Sequence, residues 1–353
     1  MGGIQFLSFT RQAHDPLVKY ISDEISFTQT DDDRCLFYVA LDPLGEHMSL
    51  HRFLLNEREC FENSGTCLFT RCVVGIVVTS PNALYTKTFL KKFLFMINEM
   101  GAEIMGHPAV EILPHYDNFK IRSEAEGVSK EQACYSQIQS LIKRLGSYVF
   151  LKKDHFNILA LHAGHLEMST TLHLWHLIKT EIAEKLPSQV ITLEEIHVEE
   201  GKITDCYGCP FETCLYYGVD KQCFYGGIVV EALFPALERA DLVVWVCPNY
   251  NDAISAKLMA VINRMTALYR QMSFNDKYIG AVIVSANSGM DAVAGQLIGA
   301  LCINKGFRLG PHFSVGTLAN HPSALKENES LETCISSYVD ALYANVHKNI
   351  KKK

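Results

Sequence analysis

From Phe156 onward the chain alternates apolar runs of strand length with stretches whose apolar residues recur every three or four positions. Runs that are apolar throughout belong to strands covered on both faces, and the intervening period of about 3.6 belongs to helices that cover them. The runs fall at 157–161, 190–193, 242–246, 278–284 and 309–315, and the helical stretches at 170–186, 227–239, 255–271, 291–305 and 331–348. Five strands alternating with five helices predict a doubly wound α/β domain with a five-stranded parallel sheet.

Residues 1–150 repeat part of this order. The run at 72–82 (CVVGIVVTSPN) parallels the run at 278–287 (YIGAVIVSAN), and each leads to a helix that ends at a glycine, Gly101 and Gly306. A strand with a Gly/Pro/His corner follows in both, at Gly106, His107 and Pro108 and at Gly310, Pro311 and His312. Upstream, 35–41 with 49–56 echoes 242–247 with 255–263, and 130–145 echoes the last helix. Ser129 and Gln132 have the spacing of a capping box at the start of that helix. No opening strand, glycine-containing loop and helix stand out, so the first half reads as a truncated, degenerate copy that has lost its own phosphate site. A stop near Gly146 puts the boundary near Lys152, giving domains 1–152 and 153–353.

Length and charge narrow the function. A chain of 353 residues suits two domains of ~150 residues. A net charge of -7, with no basic stripe apart from a solvated tail at Lys348, Lys351, Lys352 and Lys353, argues against a nucleic-acid partner. No apolar run approaches the ~20 residues that a membrane span needs, and no signal-peptide pattern opens the chain, so a cytoplasmic protein is expected. Cys35, Cys72, Cys247 and Cys302 sit singly in apolar strands and read as reduced core residues.

Chemistry concentrates in loops that leave the predicted strands. The first strand of the second half runs into His162-Ala-Gly-His-Leu-Glu-Met-Ser-Thr-Thr171 and then a helix. Ser169, Thr170 and Thr171 therefore stand at a helix N-terminus, where free N–H groups and the dipole favour an anion, although a simple N-cap gives the same composition. The segment resembles the FMN phosphate loop of the NADPH-dependent FMN reductase family, Gly-Ser-Pro-Arg-x-x-Gly-Asn-Thr. Ser169 and Thr170 then occupy the Asn-Thr positions, His165 stands where the family has Arg, and His162 and Met168 replace glycines. A second segment, 247–264 (CPNYNDAISAKLMAVINR), resembles the family's Ser-Pro-x-Tyr-(x)n-Ser-Ala-x-Leu-Lys-x-x-x-Asp-Arg. The resemblance implies that Pro248, Asn249, Tyr250 and Asn251 wrap the flavin ring. It also puts the loop 285–290, with Ser285, Asn287 and Gly289, near the flavin, where an ordinary polar turn is an equal reading.

Cys206, Cys209, Cys214 and Cys223 crowd into one loop with spacing C-x2-C-x4-C-x8-C. The loop is similar to the Cys-x-Gly-Cys-x-x-Cys segment of these reductases and of iron–sulfur flavoproteins, where four thiolates hold a [4Fe–4S] cluster. By ligand type the set suits an iron–sulfur cluster or zinc, and otherwise plain thiols or a redox pair. His155, His162, His165, His173, His176 and His197 show no HExxH spacing, and each alone reads as a surface or capped residue.

The resemblance implies a flavodoxin-like fold, bound FMN, NAD(P)H as co-substrate, and transfer of electrons to a quinone, a flavin or another small acceptor. Family members dimerise so that one subunit covers the other's flavin. The degenerate first half is expected to give that cover within one chain as a pseudo-dimer, with a homodimer as the other arrangement. Two further readings stay open: an iron–sulfur flavoprotein that carries single electrons, and a flavodoxin-like binding protein that has lost FMN.

Overall fold

The computed structural model describes residues 2–12, 14–26, 29, 30, 34–150, 152–165, 167–199 and 203–351, and Leu166, Lys352 and Lys353 lie outside them. The chain divides into two compact units, Met1–Val149 and Phe150–Lys353.

In the first unit, strands β1 (Gly2–Phe9), β2 (Gln29–Thr30), β3 (Arg34–Ala40), β4 (Val73–Thr79) and β5 (Glu103–Ile112) lie in the order β2-β1-β3-β4-β5. The helices are α1 (Pro16–Ser26), α2 (Met48–Ser64), α3 (Thr86–Glu99), α4 (Lys120–Glu126) and α5 (Lys130–Gly146). Apolar runs become fully buried strands: every residue from Val73 to Val78 is buried, as is every residue from Arg34 to Val39. Ser129 and Gln132 form the capping box of α5.

The expectation that this half lacks an opening strand and helix is corrected, because β1 and α1 supply both. The alternation of β1 (GGIQFLSF) is weak, and its loop carries no glycine to signal a turn. The abbreviated element is β2, two residues long and antiparallel to β1. The N-terminus of α1 is met by the Asp15 carboxylate, which accepts from the Leu17 N–H at 3.0 Å and from the Tyr38 hydroxyl at 2.6 Å. An internal anion thus sits where a phosphate would need to bind.

A second correction concerns Cys35 and Cys72, which form a disulfide with Cα atoms 6.1 Å apart. Cys35 is on β3 and Cys72 immediately precedes β4, the neighbouring parallel strand, so pairing of the strands brings two sequence-distant thiols within bridging range. Cys247 and Cys302 are buried free thiols, Cys302 in a π-helical turn (Ile298–Ile303) and not in a strand as expected, and burial pushes both up so that they stay protonated.

In the second unit, β6 (Phe156–His162), β7 (Ile191–His197), β8 (Leu242–Pro248), β9 (Tyr278–Ser285) and β10 (Arg308–Leu318) lie in the order β7-β6-β8-β9-β10, all parallel. The order reverses between β6 and β8, which is the switch point of a flavodoxin-like sheet. The helices are α6 (Thr170–Lys185), α7 (Phe211–Gly218), α8 (Phe234–Arg239), α9 (Ala256–Tyr269), α10 (Met290–Leu297) and α11 (Leu331–Asn349). A π-turn precedes α8 (Val229–Leu233) and another follows α10 (Ile298–Ile303), so two expected helices are each split. One face of the sheet packs against α6 and α11 through Trp175, Ile178, Ile182, Val339 and Val346, all buried with Val244 and Val282.

Both units close on a strand with the same irregularity. The register of β5 shifts against β4 between Val74 and Ile76, and that of β10 against β9 between Leu309 and Ser314. His107 and His312 sit at these bulges with φ of 50° and 52°, so the Gly/Pro/His corners mark the same backbone feature in each unit.

Among the described residues no helix is long and apolar enough to cross a membrane.

Candidate functional site

The loops after β6, β8 and β9 all leave the carboxyl ends of the strands in the second unit. After β8, Tyr250 and Ala253 exchange backbone hydrogen bonds of 3.2 and 3.1 Å around Asn251 and Asp252, whose φ values are 55° and 57°. This is the geometry of a type I′ turn, which Asn and Asp tolerate better than other L residues. Gln296 on α10 grips the turn from outside, accepting from the Ile254 N–H at 3.2 Å and donating to the Asp252 carbonyl at 2.9 Å.

The Asn249 side chain ties this loop to the next. Its Nδ2 donates to Ser285 Oγ at 3.0 Å, to the Ser288 carbonyl at 2.8 Å and to Asp252 Oδ1 at 3.2 Å. Ser285 is wholly buried at the end of β9, whereas Asn287 and Tyr250 are exposed. Gly289 has φ of 86°, and a Cβ there would stand 1.9 Å from Asp252 Oδ1 and 2.9 Å from Asn249 Nδ2. The absence of a Cβ leaves room for the Asp252 and Asn249 side chains, and the positive φ favours glycine here. Asn249 Oδ1 and Ser255 Oγ are buried polar atoms without a hydrogen-bond partner. Their acceptor and donor capacity is what a planar heterocycle with polar edges would use.

At the end of β6, the His165 carbonyl accepts from the N–H groups of Met168 and Ser169 at 3.1 and 2.9 Å, which turns the chain into α6. Ser169 caps the helix through the Leu172 N–H at 3.2 Å. A Cβ at Gly164 would lie 2.7 Å from Ser169 Oγ, so this glycine permits the close turn. Thr170 and Thr171 are buried on the packed side of α6, Ser169 is half-buried, and His165 and Met168 are exposed. The free amides of the first turn of α6 suit a phosphate, and the cradle after β8 and β9 suits the ring, so the residues present fit FMN.

Two residues that the sequence did not single out, Glu195 and Glu199, flank His197 on and just beyond β7. Glu195, His197 and Glu199 alternate along the chain, and His162 pairs with His197 across the parallel register. The His162 and His197 rings stack with centroids 4.7 Å apart, and His165 stands edge-on to His197 at 5.4 Å. Glu195 accepts from His162 Nε2 at 3.3 Å, from Trp175 Nε1 at 3.1 Å and from Lys179 Nζ at 3.1 Å. These donors, His162 first, hold its carboxyl down to about 2. The period-two spacing of Glu195, His197 and Glu199 was the available signal, but their partners come from a different strand and loop.

The four cysteines flank or lie on α7: Cys206 and Cys209 precede it, Cys214 is on it and Cys223 follows it, all as free thiols. Helix α9 fixes this segment. Asn263 Nδ2 donates to Asp205 Oδ1 at 2.9 Å, buried Arg264 donates to the Gly226 carbonyl at 2.8 Å, and Arg270 lies over the Phe211 ring at 4.6 Å. A separate groove of about 1150 Å³ runs beside α6 and α11, lined by His173, Glu181, Lys326 and Glu332, and does not include these loops.

Residues 156–319 match the model of the NADPH-dependent FMN reductase family. The match covers 164 of the 353 residues, all of them in the second unit. An iron–sulfur flavoprotein of Archaeoglobus fulgidus is 29% identical over 115 residues, which are 32% of this chain and 50% of that protein, so the chain spans about half the length of this curated relative. Among solved structures, RosB with bound 8-demethyl-8-formylriboflavin-5′-phosphate aligns with a TM-score of 0.44 at 14% identity, covering 55% of this chain and 79% of RosB. The azoreductase of Bacillus anthracis str. Sterne aligns with a TM-score of 0.39 at 13% identity, covering 56% and 99%.

Proposed function

We propose that the second unit is an NAD(P)H-dependent flavin oxidoreductase that binds FMN and passes electrons from a nicotinamide to a small acceptor such as a quinone or a second flavin. The observation that carries this reading is the lock of Asn249, Asp252, Ser285 and Gly289 at the switch-point edge of the unit that matches the FMN reductase family. Pro248, Asn249, Tyr250 and Asn251 would border the ring on one side, with Ser285, Asn287 and Gly289 on the other. Ser169 and the first-turn amides of α6 would take the phosphate, flanked by His165, Thr170 and Thr171. FMN, when bound, supplies the transfer of electrons between nicotinamide and acceptor. The chain's own residues hold the ring through preset hydrogen bonds and keep two backbone turns from rearranging. Use of a nicotinamide fits a cytoplasmic setting. The first unit, with the same strand order and the same bulge in its last strand, is best read as a duplicated copy without a phosphate site of its own.

A second reading is favoured by the sequence identity to the iron–sulfur flavoprotein and by the four free thiols around α7. There Cys206, Cys209, Cys214 and Cys223 would hold a [4Fe–4S] cluster beside the flavin. Anaerobic purification followed by a visible spectrum and iron analysis separates the two. Twin flavin bands without iron support the simple reductase, and added broad absorbance with iron supports the cluster. A protein that stays colourless after incubation with FMN overturns both.

A further inference from the structure

His165, His197 and Glu199 are drawn from the loop after β6, the end of β7 and the segment just beyond it. His165 Nε2 lies 2.9 Å from Glu199 Oε2. One ligand atom from each of the three residues lies within 4.8 Å of the other two, and among the described residues no other set of three or more His, Cys, Asp or Glu side chains comes as close. We propose that these three side chains form a binding site for a single divalent transition-metal ion of the zinc type.

The ligand set decides the class of ion. Two imidazoles with one carboxylate suit zinc and its first-row neighbours, whereas calcium and magnesium take oxygen ligands. Bonds of ~2 Å in a tetrahedron put ligand atoms ~3.3 Å apart. That separation lies between the 2.9 Å of the His165–Glu199 pair and the 4.8 Å within which all three atoms lie, so no pair separation has to change by more than ~1.5 Å to close the site.

The neighbours support the same assignment. Lys257 Nζ holds Glu199 Oε1 at 2.5 Å, which leaves Oε2 as the oxygen turned toward His165. The Lys257 charge opposes a cation, yet it also fixes monodentate binding and leaves a fourth position open. His165 is exposed, which gives the ion a path in. The His162 ring, whose Nε2 pairs with Glu195 at 3.3 Å, stacks on His197 and packs against that ligand from one side.

The inference does not depend on bound flavin, and its test uses the full chain without FMN. Zinc titration by calorimetry, under a phosphine reductant, should give one strong site. Cobalt loading should give ligand-field bands without thiolate charge transfer. Replacing His165 by Ala or Glu199 by Gln should weaken binding by more than the ~10–100-fold lost when a residue that only supports a ligand is changed. A Cys206→Ser, Cys209→Ser double variant should bind as the wild type does. Equal affinity in the His165→Ala and Glu199→Gln proteins, or loss of binding in the cysteine variant, overturns the proposal. Circular dichroism of the His165→Ala protein should match the wild type, because His165 is exposed.

Discussion

Asn249 donates to the hydroxyl of Ser285 at 3.0 Å, joining the loop that leaves β8 to the last residue of β9. The same amide reaches Ser288 and Asp252, so one side chain sets the relative positions of two loops. Replacement of Asn249 by Ala strands a buried hydroxyl and a loop carbonyl. Urea unfolding should show a loss of about 1–3 kcal/mol, the cost of an unsatisfied buried polar group. Titration of FMN against the variant by flavin fluorescence should show weaker binding than the wild type, and unchanged affinity would separate this loop from the flavin site.

Gly289→Ala tests the close approach. A Cβ at this position meets the Asp252 carboxylate, which can rotate away only by giving up its contact with Asn249, and the backbone keeps a positive φ. The left-handed backbone alone costs roughly 1–2 kcal/mol. The expected result is a lower urea midpoint together with reduced FMN affinity. An alanine variant with both values intact would contradict the proposed cradle.

The Glu195 carboxyl titrates well below the ordinary carboxylate value because it accepts from His162, Trp175 and Lys179. A depressed folded-state value means stability that is present above the unfolded value of 4.5 and is lost as the pH falls through about 2. Wild type minus Glu195→Gln, compared by urea unfolding across this window, should show an advantage near neutrality that shrinks on acidification. A difference independent of pH would rule out the ionised carboxylate as the stabilising form.

Thiol counting tests the pairing of Cys35 with Cys72. Unfolded but unreduced protein should present ten thiols, and reduction should raise the count to the twelve in the sequence. Twelve thiols before reduction, in protein purified without a reductant, would show the strands holding two separate thiols. Closing a loop across a separation of 37 residues should contribute about 2–4 kcal/mol, so reduction should also lower the unfolding midpoint.

Much of the second unit was legible because its signals are local. Strands buried on both faces leave unbroken apolar runs, and helices leave a period of 3.6, so 242–246 and 278–284 fall inside β8 and β9. The first unit was harder: β1 alternates weakly, and its loop has Asp15 in place of the glycines that mark a phosphate turn.

By itself, the sequence determined the alternation of strands and helices, the loops after β6, β8 and β9, and the repeated Gly/Pro/His corner, because each depends on residues adjacent in the chain. The tertiary structure decided what depends on separate segments meeting. Parallel pairing of β3 with β4 brings Cys35 to Cys72, and pairing of β6 with β7 stacks His162 on His197 and lets His165 reach Glu199. The Asn249 lock likewise needs β8 beside β9. Strand register is fixed by which faces are buried together, a property of the whole sheet that no single stretch of sequence carries.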